Sequence, residues 1–202
     1  MKYSASVLFL VLLIFSQIAA ADTFEFAVSD DSAQATYEIF LSNSFSTRIS
    51  GLYSRVDDAR IEFDDHREKD RRRTRTQMLN IGLFNHGQTG PVRTHLGGEL
   101  FWVNPSIKDA KNGNDQTFGL ALGGAIDAYI TPELFIVGRL MYSPNILTSG
   151  HYNNFVQFNT RIAYQILPHT ALFAGYRYLE VRGDDLDAVL FNGPFLGFKF
   201  NF

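Results

Sequence analysis

Apolar residues recur at every second position along most of this chain, the period of a strand whose two faces meet different surroundings. Phe24, Phe26 and Val28 open the pattern, and Tyr37, Ile39 and Leu41 continue it. Phe45, Thr47, Ile49 and Tyr53 follow, then, past a charged stretch, Leu79, Ile81 and Leu83. Leu96, Leu100 and Trp102 close the first half. The second half repeats the alternation at Phe118, Leu120 and Leu122, at Leu134, Ile136 and Leu140, at Val156, Phe158 and Ile162, and at Leu172, Ala174 and Tyr176. It ends on Leu196, Phe198, Phe200 and Phe202. Ten strands are predicted.

The connections sort into two kinds. Asn43-Ser44 and residues 85–91, 131–133 and 168–170 are short turns; residues 56–75, 104–116, 144–153 and 182–187 are mostly longer and more polar. The two kinds alternate along the chain, as they must when all short turns lie at one end of an up-and-down barrel. Residues 29–32 break the rule, being short where a long loop is expected. The predicted fold is all-β: an up-and-down antiparallel transmembrane β-barrel of about ten strands, with eight as the runner-up.

A soluble barrel also alternates, with its apolar face inward. Three features favour the membrane. Tyr53, Trp102, Tyr142 and Tyr178 each close a strand just before a long connection, where an interfacial aromatic girdle belongs. The polar face is sparse and rich in glycine. The chain finishes on Phe202, with apolar residues at every second position before it.

At the N-terminus, Lys2, the apolar run from Val7 to Phe15 and Ala19-Ala20-Ala21 form an export signal cleaved before Asp22. Residues 1–21 are thus a signal peptide and 22–202 a single barrel domain. Cleavage removes Lys2 and no acid, so 17 basic and 21 acidic side chains leave a net charge of −4. No basic excess draws the chain to nucleic acid. The absence of cysteine excludes disulfides, thiolate metal sites and cysteine nucleophiles.

The inward face carries Glu25, Glu38, Glu99 and Asp127 against Arg48, Arg139, Arg161, Arg177 and Lys199. A small barrel has room inside for side chains or one small ligand. Buried ions must pair, so the reading is a charge network plugging a narrow lumen, and the alternative is a selective channel lined by the same arginines. Of the five histidines, His86 and His169 fall in predicted turns, His66 and His151 in loops, and His95 faces the lumen. No H-E-x-x-H or G-x-S-x-G occurs, and Ser149 with His151 is a chance-level pairing. No catalytic, metal or cofactor site is expected. In residues 56–75, seven acids precede and interleave with seven bases, a solvated loop in which Arg71, Arg72 and Arg73 can clamp lipopolysaccharide phosphates. Asp184, Asp185 and Asp187 are read as solvated acids.

The second half resembles a known family. Leu120-Ala121-Leu122-Gly123-Gly124-Ala125, Thr131-Pro132-Glu133-Leu134 and Tyr142-Ser143-Pro144 are similar to motifs of the YfaZ family of Gram-negative outer-membrane proteins. Tyr164-Gln165-Ile166-Leu167-Pro168, Gly175-Tyr176-Arg177 and residues 193–202 carry the same resemblance, which covers roughly residues 96–202. The first half agrees in layout only, and its arginine-rich loop departs from the family. The resemblance implies an outer-membrane barrel and brings no catalytic residues; the even strand number predicts both termini in the periplasm. Leu196, Phe198, Phe200 and Phe202 resemble the C-terminal signal that the barrel-assembly machinery reads. That machinery, periplasmic chaperones, outer-membrane lipid and lipopolysaccharide are the implied partners of a monomer. The expected role is structural or surface-interacting, with a small-solute channel and a lipid A-modifying hydrolase as alternatives.

Truncation before Gly193 removes the last strand and leaves an open ladder that lipid cannot satisfy. The truncated chain is expected in the periplasm, degraded, when cells are fractionated. Normal membrane insertion of that product would overturn the barrel reading.

Overall fold

In the computed structural model, residues 22–63, 68–107, 116–150, 152–183 and 186–202 are described, with the backbone alone for residues 58–63, 68–72, 107 and 186. The proposed signal, residues 1–21, lies outside them, as do His66, His151, Asp184 and Asp185. The strands are β1 (Thr23–Val28), β2 (Ser32–Ser42), β3 (Phe45–Phe63), β4 (Glu68–Thr89), β5 (Val92–Ile107), β6 (Thr117–Tyr129), β7 (Leu134–Ser143), β8 (Thr148–Gly150), β9 (Tyr152–Leu167), β10 (Thr170–Gly183) and β11 (Leu186–Asn201). Each long strand pairs antiparallel with its neighbours in the chain, and β1 pairs with β11 to close a ten-stranded up-and-down barrel. The three-residue β8 is an addition: after Ser143 a 3-10 turn (Asn145–Leu147) interrupts β7, and β8 resumes the place beside β6.

Alternation assigns the faces as the pattern predicts. Leu122, Ile136, Ile162 and Leu172 point outward and are 52%, 42%, 49% and 50% exposed, whereas Glu99 and Arg177 point inward and are 1% and 2% exposed. This inverts a water-soluble barrel: the charges are inside and an apolar belt lies outside.

Three turns stand where the pattern places them. Asn43-Ser44 joins β2 to β3, Pro168-His169 joins β9 to β10, and Thr131 Oγ1 accepts the N–H groups of Glu133 and Leu134 at 3.3 and 3.0 Å between β6 and β7. The fourth does not. Residues 85–87 continue β4 to Thr89, and the reversal falls on Gly90-Pro91, where Gly90 has φ +58°. That left-handed conformation is open to glycine, and Pro91 offers no N–H to continue the ladder.

The stretch 56–75, read as a loop, is mostly ladder: β3 and β4 stay paired to Phe63 and Glu68, carrying their hairpin beyond its neighbours. A ribbon polar on both faces has no hydrophobic period to read, yet its backbone pairs as well as any other. Glu62 stands opposite Lys69 there. The short first connection has a related solution. β1 and β11 share six rungs, from Thr23↔Asn201 to Val28↔Leu196. Past the turn at residues 29–31, residues 186–188 of β11 reach over it to pair with residues 61–63 of β3. Between these two ladders, residues 189–195 have no ladder partner on that side. A cavity of about 760 Å³ opens through the wall there, lined by Val28, Asp31, Val56, Tyr178, Phe191 and Pro194 among others. Proline is tolerated in such an unpaired edge.

Single cysteines at positions 122, 136, 162 and 172 are expected to react with a lipid-dissolved maleimide and not with an aqueous one. Leu122→Arg is expected to cost about 2–4 kcal/mol of stability in lipid. Aqueous labelling of this set would show that the outward face meets water.

Candidate functional site: the charged layer of the lumen

Inside the barrel, side chains stack in layers. Towards the end away from the termini lies an apolar cluster that includes Leu52, Met78, Phe84, Phe101, Met141, Phe155 and Leu179, with Phe101 and Phe155 stacked at 4.3 Å. A smaller apolar cluster of Phe135, Val137, Ala163, Phe173 and Phe195 lies against the wall formed by β7, β9, β10 and β11. The charged residues gather between and beside them. Strand parity predicts those charges but not the larger apolar cluster, because its members occupy the face assigned as polar. Phe84, Phe101, Val103, Met141, Phe155 and Leu179, inward by parity, were the available signal.

The nine residues predicted for the lumen converge. Arg48 Nη2 donates to Glu38 Oε2 at 2.9 Å, and Arg139 Nη2 to Glu99 Oε2 at 2.5 Å. Arg161 forms a two-pronged pair with Glu25 at 2.8 and 2.7 Å, with Lys199 Nζ 3.9 Å from the same carboxylate. Asp127 meets His95 Nε2 at 3.2 Å. Each arginine also lies over an aromatic ring: Arg48 and Arg139 over Phe84, Arg161 over Phe173, and Arg177 over both Phe191 and Phe195. The ring faces supply a second attraction for the guanidinium groups. Between these groups remains a cavity of about 60 Å³.

His86 is a correction. Because β4 continues past it, it stands opposite His95 in the ladder and points inward, its ring 4.5 Å from that of His95 and 5.2 Å from Phe40. Ser46 Oγ donates to Glu38 Oε1 at 2.6 Å and stands 2.7 Å from His86 Nε2. A carboxylate only accepts, so the serine hydrogen is spent on Glu38 and His86 donates to the serine oxygen. That is the reverse of a base activating a nucleophile. Glu38, His86 and His95 place one potential metal-ligand atom each within 4.8 Å of one another. Arg48 already holds Glu38, and Arg93 lines the same cavity as His95, a positive setting for any divalent cation.

The remaining predicted residues are dispersed. Tyr53, Trp102, Tyr142 and Tyr178 face outward; Trp102 Nε1 donates to Gln116 Oε1 at 3.2 Å and Tyr142 Oη to Asn154 Oδ1 at 3.5 Å. Leu196, Phe198, Phe200 and Phe202 face outward at the seam, where Phe198 packs against Phe24 and Phe26 at 6.2 and 6.0 Å. Arg73 pairs with Asp57 at 2.6 Å, both exposed, while the side chains of Arg71 and Arg72 lie outside the described residues. Ser149 sits in β8.

Over residues 71–202 the sequence matches a protein family described as YfaZ precursor. The outer membrane protein YfaZ of Escherichia coli (strain K12) is 30% identical over 127 residues, covering 62% of this chain and 67% of that protein. Among solved structures, the outer-membrane protease OmpT from Escherichia coli is similar in fold, with a TM-score of 0.53 at 9% identity, covering 90% of this chain and 93% of that one.

Arg161→Ala takes the two-pronged partner from Glu25 and leaves Lys199, at 3.9 Å, as its nearest cation; it is expected to cost at most about 3–5 kcal/mol. The double replacement Arg161→Leu with Glu25→Leu is expected to recover most of that loss, read as the midpoint of thermal unfolding in detergent. A single variant as stable as the wild type would mean that this pair does not lie in a packed interior.

Proposed function

The chain belongs to the YfaZ family and is an outer-membrane β-barrel protein, and from that premise we propose a non-enzymatic barrel with a structural and surface-interaction role and a lumen closed to solutes. The observation that carries the reading is the layered interior. Charge pairs and apolar clusters occupy the bore together, the space left in the charged layer is about 60 Å³, and the larger cavity of about 760 Å³ lies at the wall gap beside residues 189–195. Such a filling suits a wall-like protein rather than a conduit.

Both termini are assigned to the periplasm. The short turns at residues 43–44, 90–91 and 168–169 lie at the end that holds the termini, and the long β3–β4 hairpin lies at the other. Outer-membrane barrels put short turns inside and long loops outside. The extended hairpin would then face the lipopolysaccharide layer, with Arg73, Arg71 and Arg72 as its phosphate-binding side chains. Leu196, Phe198, Phe200 and Phe202 would be read by the assembly machinery, and the finished barrel would stand in lipid as a monomer. The Ser46 hydroxyl, committed to Glu38, is not set up as a nucleophile.

A second reading, a narrow channel for small solutes, draws on the arginines around the central cavity. Planar-bilayer recording separates the two. The wild type is expected to show no steady conductance steps, and Phe101→Ala with Phe155→Ala, which hollows the apolar layer, is expected to raise leakage. Stable unitary steps from the wild type would favour the channel.

A further inference from the structure

We propose that the charged layer contains a binding site for one small monovalent anion, a halide, nitrate or short carboxylate, held by Arg177 with Arg139 and Arg161. The proposal rests on the closed lumen argued above. Among the nine charged residues predicted for the lumen, five are basic and four acidic, and the geometry identifies the surplus. Arg48, Arg139 and Arg161 each bond a carboxylate, and Lys199 lies near one. Arg177, 2% exposed, has no hydrogen bond or ion pair among the described residues, and its guanidinium lies over the faces of Phe191 and Phe195. Arg93, on the same cavity, adds a further positive charge.

An isolated buried guanidinium is costly, and ring faces offset only part of that cost. The donors left over point to what completes it. Arg139, Arg161 and Arg177 each keep a buried Nε–H without an acceptor, and all three line the 60 Å³ cavity. Two of them share one rung of the sheet: Arg139 stands opposite Asn159, and Asn159 opposite Arg177. Three strands therefore present arginine, amide and arginine side by side. Forked N–H donors around a small void suit a compact anion, which would neutralise the surplus charge and accept the idle hydrogens. The cavity is too small for a sugar or a nucleotide.

The test uses the full-length barrel purified from membranes in nonionic detergent. Thermal unfolding midpoints are measured while sodium gluconate is exchanged for bromide, nitrate or formate at constant ionic strength, with the same series on Arg177→Met. Ligand binding to the folded state raises apparent stability with concentration. The wild-type midpoint is expected to rise saturably with bromide, nitrate or formate relative to gluconate, and Arg177→Met to lose the whole of that shift. Comparison of the bromide and formate arms distinguishes a halide from a carboxylate ligand. In gluconate, Arg177→Met is expected to be at least as stable as the wild type, because it keeps the apolar stem and removes the unpaired charge.

No anion-specific shift in the wild type, or an equal shift in Arg177→Met, overturns the site. Should Arg177→Met fail to assemble, anomalous scattering from bromide-soaked wild-type crystals decides. A peak within hydrogen-bond reach of Arg177 supports the proposal, and peaks at the surface alone overturn it. Conductance of the same preparation keeps the two ideas apart: a silent barrel without anion stabilisation removes only the site, whereas a conducting one removes the closed lumen on which it rests.

Discussion

Hydrocarbon contains no water to satisfy a peptide group, so every strand in it must find a partner on both sides. That requirement explains most of what is unusual here. It forces β1, only six residues long, to pair fully with β2 and β11. It makes β11 and β3 meet above the short first turn. It also confines the unpaired stretch of β11 to a place where Asp30, Asp31 and Asn192 bring polar groups to the gap. Closure fixes the bore, and the bore fixes how much the inward side chains must fill.

Filling a narrow bore with charge is possible only if the charges answer one another, and a two-pronged arginine–glutamate pair has the geometry to do so. The apolar clusters packed beside these pairs lower the local polarity, which strengthens a satisfied pair. Phe84 illustrates the coupling: it belongs to the apolar cluster and lies under both Arg48 and Arg139. The two halves of the interior are thus one packed unit, and a change in either is felt by the other.

The strands were legible because each outward residue answers to lipid alone, so Leu120, Leu122, Ile136 and Ile162 repeat with a clean period. The nine lumen charges were legible for the same reason, by parity. Three things were not. The β3–β4 extension stands beyond the apolar belt, so neither of its faces carries a hydrophobic signal. The Gly90-Pro91 turn competed with Asn85-His86-Gly87, and the choice moved His86 from a turn into the lumen. The apolar cluster at Phe101 and Phe155 was hidden because an inward residue in a filled bore can be polar or apolar, depending on neighbours across the barrel. Pairing across the bore joins distant segments, as Arg161 and Glu25 do from 136 positions apart, and no local pattern encodes it.

The β1–β11 seam sets the order in which the molecule can form. Its side chains at Thr23 and Asn201 bond across 178 positions of chain, whereas the hairpins on either side join neighbours. Loop-closure entropy must be met in full before six rungs return anything, so hairpins zip first and the ring shuts last. The meeting of the two ends is therefore the closure with the largest entropy cost, and without it β1 and β11 are unpaired edges open to the wrong partner.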